Sequence, residues 1–412
     1  MSATIRIVNA TLLAPEPSTA REVTFREGRI VAVGSHPNDS PADITYDARG
    51  AFLTPGLVDA LVHGGDGKRV MTGDPEELHA VARAHGRNGT TAFCCGTFAA
   101  PMETLRQGLR AVGEVARNPP SDGARVLGAY VEGKFGTPED GKHGAHDTRH
   151  LEAPTREAFL DLWNASGGSI RVFSYAVERD VNLDVTRFLA SHQDDFVNVV
   201  PTMGHTNATY DATCRAIDAG VRRATHTFNG MSGLHHRKLG AAEAVLDDPR
   251  VHAEVIGDGR HVHPTWARLL MKLKGANGTG LITDAGAAAA LSPQAFQDYF
   301  RTDEASGLPV TREGRRVYLI NGALYLDPQG EQLTGGFLTL NDAVRNAIRW
   351  GASPSDAVRM ATLSPAENLK LKSKGALRPG FDADLAVFDA DWNPLAVFVE
   401  GRELVNRLAK VP

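Results

Sequence analysis

The chain has 412 residues, with 44 Lys and Arg against 49 Asp and Glu, for a formal net charge of -5. Such a length can bury a large core, and this balance offers no basic footprint for nucleic acid. Its 3 cysteines are too few for a disulfide framework, and no apolar stretch is long enough to span a bilayer.

The opening Met-Ser-Ala-Thr-Ile-Arg has neither the basic start nor the apolar core of a signal peptide, so a cytoplasmic, reducing location is expected. Ile5 to Val8, Glu22 to Arg26 and Ile30 to Val33 are short β-branched runs with turn residues such as Glu27-Gly28 between them, and read as strands. Phe52 to Asp59 is an apolar strand interrupted by Pro55-Gly56, a plausible domain junction.

From there the pattern alternates. Helices are predicted over Pro75 to Arg87, Met102 to Arg117, Arg156 to Ser166, Val181 to Gln193 and Tyr210 to Ala219. Strands are predicted over Thr90 to Cys95, Val126 to Val131, Ile170 to Ser174, Val197 to Met203, Ala224 to Thr227, Val251 to Ile256 and Gly280 to Thr283. Cys94 and Cys95 lie within the first of these and read as small core residues. Repeated βα units argue a parallel sheet wrapped in helices, and about eight strands across roughly 310 residues fit an α/β fold, the (β/α)8 barrel with insertions. Residues 285–335 are the least regular part and read as a hairpin or lid. Strands return near the end, where Gly375 to Phe388 leads to Ala396 to Val399. The expected organisation is a barrel over 56–375 and a small discontinuous β-sandwich domain from residues 1–55 and 376–412.

The candidate chemistry sits where these strands end. Glu132 stands in Val-Glu-Gly, His205 in Gly-His-Thr-Asn-Ala-Thr, His226 in Thr-His-Thr-Phe-Asn-Gly-Met and Asp284 in Leu-Ile-Thr-Asp-Ala. Residues at the C-terminal ends of barrel strands converge on one mouth. One carboxylate and two imidazoles suit a catalytic zinc with a position left open for water. Asp284 suits the proton shuttle such a water needs; the blander reading is an N-cap for the Ala-rich segment that follows. Two clusters concentrate cationic and imidazole groups, Leu234-His235-His236-Arg237-Lys238-Leu239 and Asp258-Gly259-Arg260-His261-Val262-His263-Pro264. They read either as solvated surface charge or as a phosphate or carboxylate site.

With these residues in view, the chain resembles the N-acetylglucosamine-6-phosphate deacetylase family of the amidohydrolase superfamily over nearly its whole length. The resemblance is carried by Pro55-Gly56-Leu57-Val58-Asp59, Gly144-Ala145-His146 and the Gly-His-Thr-Asn-Ala-Thr string. It continues through Thr-His-Thr-Phe-Asn-Gly-Met-Ser-Gly-Leu-His-His-Arg, Asp-Gly-Arg-His-Val-His-Pro and Thr-Asp-Ala. It implies that Glu132, His205 and His226 bind the metal and that Asp284 is general base, then acid. It implies that His146 and the Ala145 backbone hold the sugar of an amino sugar phosphate. Asn229, Gly230 and His261 line the phosphate end, and Leu333, Thr334 and Gly335, on to Gly336, close over the ligand. Arg237 reaches a neighbouring subunit's substrate, which implies a homodimer.

The departures cluster around the site. Many relatives have His-x-His after the entry Asp, supporting a second metal; here Leu61 cannot ligate, and His63 is left to contact substrate or stand as a spare ligand. Glu-Gly-Pro has become Glu132-Gly133-Lys134, which places flexibility and a charge beside the metal. Asn-Ala has become Asn229-Gly230, and Thr-Asp-Ala-Met has become Thr283-Asp284-Ala285-Gly286. A Gly-rich segment is replaced by Leu291 to Phe300. The resulting expectation is a metal-dependent deacetylase acting on N-acetylglucosamine 6-phosphate. The alternatives are a divergent amidohydrolase, lyase or isomerase acting on a different acylamino or related sugar, and a catalytically inactive binding barrel.

Overall fold

The computed structural model describes residues 3–14, 19–34, 41–139, 141–196, 198–292, 299–302, 309–311, 316–320, 323–325, 327–330, 333 and 335–411. Its centre is an eight-stranded sheet in which each strand neighbours the next along the chain. The strands are Leu57–Val62, Thr90–Gly96, Arg125–Phe135, Ile170–Tyr175, Val200–Met203, Arg223–Ala224, His252–Ile256 and Thr279–Ile282. All pairings among them are parallel. Leu57–Val62 and Thr90–Gly96 are buried at every position, as expected of parallel strands covered on both faces.

The first and eighth strands meet and close the barrel. The Thr283 hydroxyl donates to Asp59 Oδ2 at 2.6 Å, and the backbone N–H groups of His63 and Gly64 both donate to the Ala285 carbonyl, at 2.8 and 2.9 Å. This closure carries function, because it brings the ends of strands one and eight, with His63 and Asp284, to the same side of the mouth. Helices cross between strands, and local chemistry starts several of them. The side chains of Asp74, Thr155 and Thr209 accept from the N–H of Glu76, Ala158 and Ala212, satisfying first-turn donors.

The helix predicted from Val181 begins only at Asp184. The Asp180 carboxylate accepts from the Val185 and Thr186 N–H groups, at 3.0 and 2.9 Å, while Asn182 and Leu183 take positive φ. The predicted strand from Val197 is described from Val200, residue 197 lying outside the described residues. Helices at Ala241–Asp247, Pro264–Gly278, Leu340–Arg349 and Pro354–Met360 escaped prediction. Between residues 285 and 335, Phe300–Thr302 pairs with Pro309–Thr311 and Tyr318–Ile320 with Ala323–Tyr325, both antiparallel.

Two five-stranded sheets draw on both ends of the chain. One runs Ala409–Val411, Ile44–Asp47, Ile5–Val8, Val23–Arg26, Arg29–Val33; the other runs Thr11–Leu12, Phe52–Pro55, Leu385–Phe388, Pro394–Val399, Arg402–Asn406. Ile7, Phe25, Leu53, Leu385 and Phe398 form their shared core, separate from that of the barrel. Gly56 is the junction, because a Cβ there would lie 2.1 Å from Thr91 Oγ1.

The barrel interior holds one fully buried ion pair, Arg223 with Glu254. Tyr130 donates its hydroxyl to Glu254 Oε2 at 3.0 Å, and Arg223 Nε donates to the Asn368 side chain. Breaking such a pair leaves a charge without compensation, so Arg223→Met should lower stability by about 3–5 kcal/mol. Urea unfolding checks this, and adding Glu254→Leu should recover much of the loss.

Candidate metal centre at the barrel mouth

Three predicted ligands meet. His205 Nε2 lies 2.7 Å and His226 Nε2 3.4 Å from Glu132 Oε1, and the two imidazole nitrogens are 3.1 Å apart. A tetrahedral ion with bonds near 2.0 Å has donor–donor edges of about 3.3 Å, so the spacing fits. All three residues are buried, and the second carboxylate oxygen, Glu132 Oε2, has no hydrogen-bond partner. An unpaired buried carboxylate oxygen is costly, and a cation would offset that cost.

The backbone at these positions is strained. His205, His226 and Asp284 have φ of 46°, 28° and 49°, in the region L-residues avoid, at a cost of about 1–3 kcal/mol each. The sixth strand ends at Ala224 rather than Thr227, so the chain turns at His226 and swings its ring inward. The third strand runs past its predicted end at Val131 to Phe135, and Gly133, at φ 86°, bends it directly after Glu132.

His205 is oriented from outside the ligand set. Its Nδ1–H donates to the Lys142 carbonyl at 2.7 Å, which leaves Nε2 free to ligate. Gly230 makes room for this bond: at φ 61°, a Cβ there would lie 2.6 Å from both His205 Nδ1 and the Lys142 oxygen. The replacement of Ala by Gly at this position therefore has a steric reason in this backbone.

Charge distribution follows. Burial pushes the Glu132 carboxyl up, but the charges and hydrogen bonds of His146 and His205 outweigh it and hold the group well below its usual range. Burial, with repulsion from His146, lowers His205. Burial also lowers His226, but the Glu132 hydrogen bond and the negative charges of Asp284, Glu132 and Glu254 overcome it and raise this imidazole to about 9. Asp284 is pushed up by burial and pulled down further by His63 and His226, so it is held as a carboxylate.

The other predicted residues divide. His63 Nε2 is 3.0 Å from Asp284 Oδ1, and His63 Nδ1 meets the Gly96 carbonyl at 3.1 Å. His146 Nε2 is 3.0 Å from Glu132 Oε1 and 3.2 Å from His205 Nε2, so it touches the ligand set itself. Ala145, Asn229, Gly230, His261, Leu333 and Gly335 line the same cavity of about 970 Å³ with the ligands and Asp284. His261 Nδ1 pairs with Asp258 Oδ2 at 2.6 Å. Thr334 lies outside the described residues. Arg237 is exposed and does not line its own chain's cavity. Asp284 caps no helix, since turns follow it.

Lys134 corrects one expectation. Its charge does not stand beside the ligand set: Nζ turns away to the Ala100 carbonyl at 3.2 Å and to Glu152 Oε1 at 2.7 Å. Sequence reasoning also missed the Lys142 carbonyl and Arg69, which lines the cavity from a two-residue strand with no motif of its own.

Residues 52–404 match the model of the amidohydrolase family. The chain belongs to the amidohydrolase family. This amidohydrolase is 32% identical to an N-acetylgalactosamine-6-phosphate deacetylase of Escherichia coli O157:H7, over 92% of this chain and 94% of that protein. It is 31% identical to an N-acetylglucosamine-6-phosphate deacetylase of Vibrio furnissii, over 91% and 88%. Its structure resembles that of a mutant N-acetyl-D-glucosamine-6-phosphate deacetylase from Mycobacterium smegmatis in complex with N-acetyl-D-glucosamine-6-phosphate. The TM-score is 0.83 and the identity 28%, covering 98% of this chain and 100% of that one.

Two outcomes follow from the centre's geometry. A metal must displace the His226 proton at any pH below about 9, so apparent affinity should rise from pH 6 to pH 9 by up to tenfold per unit; chelator competition across that range checks the slope. Gly230→Ala should expel the Lys142 carbonyl from His205 and weaken metal binding about 10–100-fold. Unchanged affinity in that variant would show that the Lys142 carbonyl does not set the ligand's orientation.

Proposed function

We propose that this amidohydrolase is a zinc-dependent deacetylase of an N-acetylhexosamine 6-phosphate, with N-acetylglucosamine 6-phosphate as the first candidate. The observation that carries the reading is the Asp284 carboxyl, 3.0 Å from His63 Nε2, at the wall of a cavity shared with an N₂O donor set. The relatives named above support the sugar phosphate class. They act, by their names, on two sugars that differ in configuration at C4, and they match this chain equally well.

A zinc ion held by Glu132, His205 and His226 would supply Lewis acidity and a water nucleophile at neutral pH. Asp284 takes the proton of the attacking water and returns it to the amide nitrogen as the C–N bond breaks, releasing acetate and the amino sugar phosphate. His63 keeps Asp284 competent as a base. Burial disfavours a charged His63, but Asp284's hydrogen bond and charge raise its proton affinity, and His63 in turn pulls the Asp284 carboxyl down. The Ala99 N–H donates to His146 Nδ1 at 3.5 Å, which turns His146 Nε2 toward Glu132 Oε1, 3.0 Å away. His146 and Ala145 hold the sugar, with Asn229, Gly230 and His261 at the phosphate end. Leu333 and Gly335 close over the ligand; Gly336 supports that segment by donating to the Asp284 carbonyl at 2.7 Å.

The same reading includes a second copy of the chain. Trp266, Leu269 and Leu273 are exposed on one face of helix Pro264–Gly278, and Leu239 is exposed beside Arg237 in sequence. A partner covering this face would bring Arg237 toward a neighbouring site.

Acetate release from the 6-phosphates of N-acetylglucosamine and N-acetylgalactosamine, with both unphosphorylated sugars alongside, tests the proposal. Turnover is expected from a phosphorylated sugar only. Asp284→Asn should lower kcat by about 10²–10⁴ while bound metal is unchanged. Failure to release acetate from either phosphate by metal-loaded protein would move the chain to another substrate or reaction.

A further inference from the structure

We propose that Lys134 is a positioning residue for the metal centre. Through Glu152 and the Ala100 carbonyl it fastens the segment 141–152, which brings the Lys142 carbonyl to His205 and the His146 ring to Glu132. The inference rests on the ligand set described above and goes beyond it, since Lys134 touches neither the ligands nor the cavity.

Lys134 is only 1% exposed, and a buried ammonium persists only where it is paired. Its link to Glu152 is double: Nζ donates to Glu152 Oε1 at 2.7 Å, and the Glu152 N–H donates to the Lys134 carbonyl at 2.9 Å. Its second acceptor, the Ala100 carbonyl, follows Ala99, whose N–H meets His146 Nδ1. One ammonium therefore joins three pieces: the strand that carries Glu132, the chain just after the second barrel strand, and the end of segment 141–152. Arg179 reinforces this base, because its Nη1 donates to the Gly136 carbonyl and to the Glu152 carbonyl at 3.1 Å.

The consequence is energetic coupling. Metal binding uses His205 in the orientation set by Lys142, so it requires segment 141–152 to be in place. Without the Lys134 ammonium, Glu152, half exposed, can turn its side chain to water at little cost, and the segment keeps only its backbone bond to residue 134 and the Arg179 contact. Ordering it would then oppose metal binding, and by reciprocity the metal would order the segment.

The test measures zinc affinity by chelator competition in the full chain for the parent, Lys134→Met, Glu152→Ala and the double variant. Each single substitution should raise the zinc dissociation constant by about tenfold, the low end for residues outside the ligand shell, and the double variant should be no weaker than the singles. Limited proteolysis within 141–152 should speed up in the metal-free variants. A lowered thermal midpoint with unchanged zinc affinity in both singles would reduce Lys134 to a purely structural role and overturn the proposal. If Lys134→Met does not fold, Glu152→Ala alone decides, because that side chain is half exposed and its removal takes away the acceptor. The assay needs no sugar substrate, so a parent that binds zinc but releases no acetate would defeat the deacetylase reading and leave this one standing.

Discussion

The carboxylate of Glu132 is the constraint on which the mouth of the barrel depends. It is an anion taken out of water, and one of its oxygens has three imidazole nitrogens within 3.4 Å: His146, His205 and His226. Such a charge is tolerable only with compensation, and the imidazoles provide part of it. The other oxygen has no hydrogen-bond partner, and His63 Nε2 stands 3.9 Å from it. An arrangement that leaves a buried carboxylate half satisfied is poor as a structural device and well suited to a cation. Strained φ values at His205, His226 and Asp284 fit the same picture, because the fold holds these groups in positions they would not adopt locally.

The scaffold makes this possible by closing the sheet. Thr283 on Asp59, and Ala285 under His63 and Gly64, join the last strand to the first. Without that seam Asp284 and His63 would end on opposite edges of an open sheet, and Asp284 would not share the cavity with Glu132, His205 and His226. The buried pair of Arg223 and Glu254 sits beneath the same residues and also reaches the His226 backbone, whose N–H approaches Glu254 Oε2 at 3.4 Å. Stability and site geometry therefore share side chains in the lower layers of the barrel.

Outside the ligands, segment 141–152 and the glycines it packs against set orientation. Gly230 admits the Lys142 carbonyl to His205. A Cβ on Gly133 would lie 2.5 Å from the His146 ring. Lys134 and Gly230 thus bear on how Glu132 and His205 are held, from outside the Glu132, His205 and His226 cluster.

Much of this was legible in the sequence. Alternating βα units specified a parallel barrel, and strand-end positions brought Glu132, His205, His226 and Asp284 together on paper, because C-terminal strand ends share one mouth in that fold. The strings around them carried the family resemblance. What stayed hidden depends on contacts between distant parts of the chain. A backbone carbonyl carries no residue identity, so nothing in the local string marks Lys142 as the partner of a histidine 63 residues away. Lys134 looked like a charge beside the metal because it stands two residues from Glu132 in sequence, but Gly133 at φ 86° bends the strand after Glu132, and Lys134 finds Glu152 instead. By itself the sequence determined the fold class and the chemistry of the ligands, since both follow from periodicity and residue type. Only the tertiary structure decided how those ligands are oriented, because burial and backbone direction arise when segments far apart in the chain pack together.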